Sequence, residues 1–320
     1  MAGFSEEQEA VITAAAAASR ITQWICGPLT GADAWLVNGQ CTQHLGGGRI
    51  RVASRQAGGR SLQLQLGGSN RPVGFAVPLP PTLQGACTFD FEQPQSLIEA
   101  IGLFEFVLAP VAAQFLLASH IVDQQDVLGS GVFQVRSKGQ VIAVVDMKGE
   151  AAVLPSVRPA NFDVAVWTRI GRERMSIPPN FCRATISELM WRYISRSSRD
   201  VLPERYRKGP IFFRRAPRVD ALLVEESHLL IMRELAIAPC TFDELLRRLE
   251  LAEGELARAL SALYYVGSVT STRARAAPTT VSDDTHGRLR LNSNYGELPG
   301  AGIELTDLRQ LTAPAPIVFA

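Results

Sequence analysis

The sequence TFDELLRRLELAEGELARALSALYYVGSVTST, residues 241–272, decides how the C-terminal part of the chain folds. Thr241 followed by Glu244 is a capping box, which opens a helix by satisfying its first backbone N–H groups. A second helix follows, and its apolar residues recur at the spacing of one buried face: Leu256, Leu260, Leu263 and Tyr264. Gly267 ends that helix, and the β-prone residues 268–272 come next. The stretch therefore predicts helix, turn, helix and strand.

Another helix precedes this stretch. The sequence EESHLLIMRELA, residues 225–236, carries an apolar stripe, and Ala238-Pro239-Cys240 then breaks the helix. With it, the pattern over residues 222–275 resembles the winged helix-turn-helix superfamily. The resemblance implies a small helical module with a wing that would carry Arg273 and Arg275. Because winged helices also serve in dimerisation and protein docking, the resemblance alone does not assign DNA binding.

The charge of the second helix argues against a role in reading DNA. The helix begins with Glu253-Gly254-Glu255, and residues 241–267 hold three arginines against five acids, a net charge of −2. The face predicted to point outward consists of Glu255, Arg258, Ser261, Ala262 and Tyr265. A helix that reads the major groove normally presents several Arg, Lys, Asn or Gln side chains. We therefore predict that the module docks a partner protein or a second copy of the chain, through Glu255, Arg258 and Tyr265.

Residues 178–218 are predicted to form a basic helical arm that links the body to this module. Between residues 183 and 218 ten arginines and lysines stand against three acids, so this segment carries +7 while the whole chain carries +1. The alternative function is therefore a DNA-binding transcription regulator. Its phosphate contacts would come from six residues of the arm and the wing: Arg207, Lys208, Arg214, Arg215, Arg273 and Arg275. A solvated basic face that pairs with the acidic remainder is the other interpretation.

The first 177 residues predict an α+β body: an N-terminal helix over residues 5–24 and an antiparallel sheet sandwich, with a break into subdomains near 80–95. Glycine-rich turns separate short β-prone runs in its first half. In its second half, Lys138-Gly139 and Lys148-Gly149 predict the turns of an antiparallel meander. Residues 276–320 lack periodicity and are predicted to be an irregular tail.

Composition predicts a cytoplasmic protein of bacterial style, without a cofactor. The N-terminus carries acids where a signal peptide would carry Lys or Arg, and five widely spaced cysteines indicate reduced thiols. The apolar run of residues 102–122 is long enough to span a bilayer, but it contains Glu105, Pro110 and His120. We therefore predict a buried helix, bent or restarted near Pro110, and no membrane contact.

A metal-dependent nuclease is a remote alternative. Asp146 and Lys148 follow an apolar strand, where an acid that binds Mg²⁺ and a lysine that orients phosphate are found in such enzymes. Asp126 lies upstream as a further acid. The Lys-Gly repeat favours a simple turn at this place, and the histidines and cysteines show no metal-ligand spacing. We predict a non-enzymatic protein with no metal site.

Overall fold

The computed structural model describes residues 1–19, 22–27, 29, 32–55, 60–66, 71–83 and 87–277. Helices and strands are mixed along the chain, which confirms the α+β class. The predicted tail lies outside the described residues from position 278 onward. The N-terminal elements are α1 (Glu6–Ala17), β1 (Trp35–Asn38), β2 (Thr42–Gly46), β3 (Arg49–Val52), β4 (Leu62–Gln65), β5 (Val73–Ala76) and β6 (Thr88–Phe89).

The N-terminal strands form two sheets, and only one of them is antiparallel as predicted. Strands β2, β3 and β4 make an antiparallel sheet in chain order. Strands β1, β5 and β6 pair in parallel, and Ala2 adds a parallel bridge to Val37 of β1. The prediction of a purely antiparallel sandwich was wrong here. Because parallel neighbours need a crossover, the β2–β4 sheet occupies the connection between β1 and β5.

Helix α2 (Pro94–Asp123) connects two hydrophobic cores. Its first half packs with the N-terminal strands and α1, through Leu97 and Phe104 among others. Its second half, which includes Leu117 and Ile121, belongs to the large core of the following elements. The division between the cores therefore falls within α2, later in the chain than the predicted break at 80–95.

The predicted restart of α2 at Pro110 does not occur, since the helix runs through this proline. By length and composition the helix is able to cross a membrane, and 28% of its most apolar window is buried inside the protein. Core helices pass the same test of length and composition. Phe106, with 79% of its surface exposed, is the most exposed apolar residue of α2.

A five-stranded antiparallel sheet follows, in the order β10-β7-β8-β9-β11. Its strands are β7 (Val132–Ser137), β8 (Gln140–Asp146), β9 (Glu150–Val153), β10 (Val166–Ile170) and β11 (Cys182–Thr185), with short helices α3 (Gln125–Leu128) and α4 (Pro159–Asp163) between elements. The meander β7–β8–β9 confirms the two Lys-Gly turns. Lys138 and Gly139 both have positive φ, 49° and 84°, as a two-residue hairpin turn requires.

Strands β10 and β11 lie at opposite edges of this sheet, so residues 171–181 have to cross it. Arg172, at the start of the crossing, forms an ion pair with Asp146 of the central strand β8 at 2.9 Å. Asp146 is buried, whereas the Arg172 side chain is 76% exposed. The ion pair thus holds the start of the crossing segment against the end of β8.

The remaining elements are α5 (Ile186–Arg196), α6 (Glu204–Lys208), β12 (Phe212–Phe213), α7 (Glu226–Ile237), α8 (Phe242–Leu249), α9 (Glu253–Tyr265) and β13 (Val269–Thr270). Residues 178–218, predicted as a linking arm, contain β11, α5, α6 and β12. Their apolar side chains, including Met190 and Trp191 of α5, belong to the same core as α9 and the five-stranded sheet. Helix α5 is thus part of the body, because one of its faces is buried through Leu189, Met190, Trp191, Tyr193 and Ile194.

Candidate functional site

Local sequence fixes where helices α8 and α9 begin and end. The Thr241 hydroxyl accepts a bond from the Glu244 backbone N–H (3.3 Å), and the Glu244 carboxylate accepts one from the Thr241 backbone N–H (2.8 Å). The bond from the Thr241 backbone N–H, with a second one from the Thr241 hydroxyl to the same carboxylate at 3.1 Å, lowers the pKa of Glu244, since both favour its charged form. Glu250 ends α8 in the left-handed region, and Gly267 with φ of 71° follows α9. The predicted capping box and terminal glycine are both confirmed.

A small sheet lies beside these helices. Strand β12 pairs with β13 on one side, and Ile211 forms a bridge with Cys240, between α7 and α8, on the other. The backbone N–H of Ala277 donates to the carbonyl of Phe213 at 2.9 Å, so the chain after β13 returns to β12. Strand β12 is therefore central in this sheet, although it comes from the predicted arm.

The face of α9 that was predicted to point outward is largely buried. Helices α5 and α9 pack against each other in the large core. Ser261 is 1% exposed and Ala262 is fully buried, so the prediction that they face solvent was wrong. Tyr265 is half-buried, and its hydroxyl donates a hydrogen bond to the side-chain oxygen of Gln125 in α3. The chain itself thus occupies most of the predicted docking face.

Only the N-terminal end of α9 remains open to solvent. We call this surface the acidic end of α9, defined by Glu253, Gly254, Glu255 and Arg258, all exposed. Two of the three residues predicted for docking, Glu255 and Arg258, lie here, while Tyr265 does not. Glu253 contacts Arg207 at 3.3 Å, which ties this end to helix α6.

The six cations predicted for DNA contact fall into three groups. Arg207 and Lys208 are ion-paired: Arg207 with Asp200 and Glu253, and Lys208 with Glu204 at 3.0 Å. Arg207 also lies over the ring of Phe242, with its guanidinium carbon 5.0 Å from the ring centre. These contacts give the two residues structural partners within the protein.

Arg214 and Arg215 lie at the C-terminal end of α9. Arg215 donates to the carbonyl of Val266, the C-cap of the helix, at 3.2 Å. The guanidinium of Arg214 lies near Gly267, where an added Cβ would meet it at 3.4 Å. Positive charge is favourable at this end of a helix, so both arginines complement α9 electrostatically.

Arg273 and Arg275, predicted on a wing, lie instead in a short 3₁₀ turn after β13. Both side chains are exposed. Among the residues that the structure describes, no ion pair involves Arg214, Arg273 or Arg275. These three are the cations of the predicted set that are available to an external anion.

Two contacts of this region were not predicted. Arg205 stacks against Tyr206 and Tyr264, each ring centre 5.3 Å from its guanidinium carbon, and donates to the Tyr264 hydroxyl at 3.1 Å. Trp191 of α5 packs on the imidazole of His228 in α7, with ring centres 4.5 Å apart. His228 also accepts the backbone N–H of the N-cap Glu225, a position three residues into the helix that is recognisable in the sequence, whereas its packing on Trp191 has no local signal.

The residues of the nuclease alternative form a turn. Asp146 accepts a bond from the Lys148 backbone N–H at 3.0 Å and pairs with Arg172, while the side chain of Asp126 lies outside the described residues. In the described part of the chain, no group of three or more His, Cys, Asp or Glu side chains is arranged to hold a metal ion. The contacts of Asp146 are those of a residue that shapes a turn.

No protein-family model matches the chain, and no curated protein or solved structure is detectably similar to it. Its function is therefore inferred from the geometry described above.

Proposed function

We propose that this chain is a non-enzymatic regulatory or adaptor protein, and that residues 222–275 form a winged-helix module that docks a partner protein. The packing of α5 on α9 is the observation that carries the proposal. In a DNA-binding winged helix the counterpart of α9 lies in the major groove, which needs one of its faces free. Here that face is buried against the chain itself.

The winged-helix assignment is supported by three helices followed by a strand, with a short sheet at their side. Helices α7, α8 and α9 and strand β13 follow in the expected order. Cys240 supplies the short β segment between the first two helices. The wing departs from the family pattern, because β12 comes from upstream and a 3₁₀ turn follows β13.

The acidic end of α9 is the surface that we assign to docking. Two exposed glutamates and one exposed arginine lie within six residues, and the backbone there is fixed by the turn at Glu250. Its charge favours a partner with a basic surface, since complementary charge speeds encounter and selects partners. Tyr265 is not part of this surface, because it lies at the other end of α9, half-buried and bonded to Gln125 of α3.

Site-specific photo-cross-linking in the cells that make the protein tests this proposal. A photoreactive residue at position 255 is expected to give a discrete cross-linked protein, and the same residue at exposed Lys138, on the β7–β8 turn, is the matched control. Changing Arg258→Glu is expected to alter the yield of the cross-link at position 255. Cross-linking to DNA, or equal patterns at the two positions, would overturn the docking proposal.

DNA binding is the second candidate, because Arg214, Arg273 and Arg275 are exposed around the β12–β13 sheet. Such contacts would reach phosphates only and would carry little sequence specificity. Arg207 and Lys208 are removed from this candidate site by their ion pairs. We also propose a cytoplasmic location, where the five cysteines would stay reduced.

A further inference from the structure

Strand β10 is an unprotected edge of the five-stranded sheet. It lies at the end of the strand order, so one row of its backbone N–H and C=O groups faces away from β7. Among the described residues, no segment pairs with this outer side. Two apolar residues at this edge are exposed, Val164 with 53% and Val166 with 64% of its surface.

At the opposite edge of the same sheet, β11 has a contact from another element. The side-chain amide of Gln114, in α2, donates to the carbonyl of Arg183 in β11 at 3.4 Å. Helix α2 thus provides one hydrogen bond to a backbone carbonyl of β11. Nothing comparable lies along β10 in the described part of the chain, and the strand contains no proline, no lysine and no bulge in its pairing with β7 at residues 166–170. Edge strands normally carry such features where pairing with another chain has to be avoided.

The sequence of β10 is self-complementary about Thr168. In an antiparallel pairing of two copies around a two-fold axis at this residue, Val166 lies opposite Ile170 of the other copy, and Trp167 lies opposite Arg169. The first pair joins two β-branched apolar residues, which stabilise neighbouring strands. The second places a guanidinium beside an indole, a favourable cation–π arrangement.

The positions of these side chains in the structure suit that pairing. Trp167 and Arg169 lie on the same face of the sheet, because their partners in β7 are Val135 and Phe133. Trp167 is held by an edge contact with Phe133, with ring centres 6.4 Å apart. Arg169 donates to the carbonyl of Ser130 at 3.0 Å, just before β7, and its side chain would exchange this contact for the partner's Trp167 on pairing.

We propose that two copies of this chain associate through β10, joining their five-stranded sheets into one continuous antiparallel sheet. The proposal does not rest on the docking function, since β10 shares no residue with the acidic end of α9. The proposed interface has a two-fold axis that passes beside Thr168 of both copies. A dimer formed through the exposed apolar residues of α2 around Phe106 would not place this axis at Thr168.

The first test is the oligomeric state of the full chain, measured by sedimentation velocity over a range of concentrations. The wild-type protein is expected to form a dimer. Thr168→Lys places two like charges opposite each other and is expected to weaken the dimer at least tenfold, whereas Thr168→Val, the matched control, keeps it. A wild-type monomer at about 100 µM, a concentration at which micromolar affinities are saturated, or a dimer that Thr168→Lys leaves intact, would overturn the proposal.

The second test locates the axis and holds even where Thr168→Lys impairs folding. In a Cys26→Ser background, which removes the exposed native cysteine, Thr168→Cys is expected to form a disulfide-linked dimer on mild oxidation. Val166→Cys is the control, because its two copies would lie about 13 Å apart, while a disulfide needs Cα atoms within about 7 Å. Equal cross-linking at the two positions, or none at position 168, would contradict the two-fold pairing.

Discussion

The indole of Trp191 lies against the imidazole of His228, with ring centres 4.5 Å apart and planes inclined by 35°. Trp191 belongs to α5 and His228 to α7, so this contact joins the body to the helical module. The Trp191 indole N–H also donates to the carbonyl of Leu223 at 2.9 Å, just before α7 begins. His228 in turn accepts the Glu225 backbone N–H on its Nδ1 at 3.2 Å. One side chain of α5 therefore contacts both the approach to α7 and its first turn.

The buried His228 predicts a loss of stability in mild acid. Burial lowers the pKa of His228 from 6.5 to about 4. Because the folded state has the lower pKa, the unfolded state binds more protons between these values, and stability falls as the pH drops through this window. Above about pH 7 the titration of His228 costs no stability. Near pH 4 it has lowered the free energy of unfolding by about 3 kcal/mol. Urea unfolding at a series of pH values measures it.

Two variants separate His228 from the other titrating groups. His228→Gln keeps an acceptor suited to the third position of the helix and is expected to flatten the pH dependence between 6.5 and 4. His44→Gln, at an exposed histidine of β2, is expected to match the wild-type profile. A His228→Gln profile parallel to that of the wild type would assign the acid sensitivity to other groups.

Patterns within one element predicted most of the secondary structure, because the forces behind them are local. The capping box at Thr241, the Lys138-Gly139 turn and the glycine after α9 act over a few residues and were recognisable in the sequence. The parallel pairing of β1 with β5 was not recognisable in the sequence, since it depends on a crossover of more than thirty residues. No local signal in either strand specifies the direction of its neighbour.

The sequence predicted the exposure of Glu255 and Arg258 in α9, but not the burial of Ser261 and Ala262. The outward face of α9 follows from the prediction that Leu256, Leu260, Leu263 and Tyr264 alone form its buried side. Ser261 and Ala262 are small residues, which allow other elements to approach α9 closely, and both are buried. Helix α5 was set aside as a basic linker because its arginines dominated the charge count, although its buried residues are mostly large and apolar. The exposure of Glu255 and Arg258 agrees with the prediction, because both are charged residues of the first turns of α9.

Substitution of Ala262 tests the packing of α5 on α9. Ala262→Arg is expected to destabilise the protein by more than about 3 kcal/mol, because it forces a charge and several extra atoms into a filled interface. Arg258→Glu, on the exposed side of the same helix, is expected to change stability by less than about 0.5 kcal/mol. Chemical unfolding of both variants gives the comparison. Similar values for the two would mean that α9 is open on both faces.

The ion pair between Arg172 and Asp146 predicts local protection of the crossing segment, residues 171–181. Arg172→Ala leaves a buried carboxylate with only its turn hydrogen bond from Lys148, and we expect a cost of about 1–2 kcal/mol. Cleavage of this segment by a protease is expected to become faster than in the wild type. Arg174→Ala, at a nearby exposed arginine with no ion pair among the described residues, is the matched control and is expected to leave the cleavage rate unchanged.

Duplex binding decides between the docking function and its DNA-binding alternative. If the three exposed arginines around β12 and β13 each bind a phosphate, affinity is expected to fall about fortyfold between 50 and 200 mM salt. The combined change Arg273→Glu and Arg275→Glu would then abolish binding at low salt, whereas Lys208→Glu, whose side chain is paired with Glu204, would weaken it much less. The buried face of α9 leads us to expect the other result, in which fluorescence anisotropy detects no duplex binding even at 50 mM salt. Salt-sensitive binding that is lost in the double variant would replace docking with DNA contact through the β12–β13 sheet.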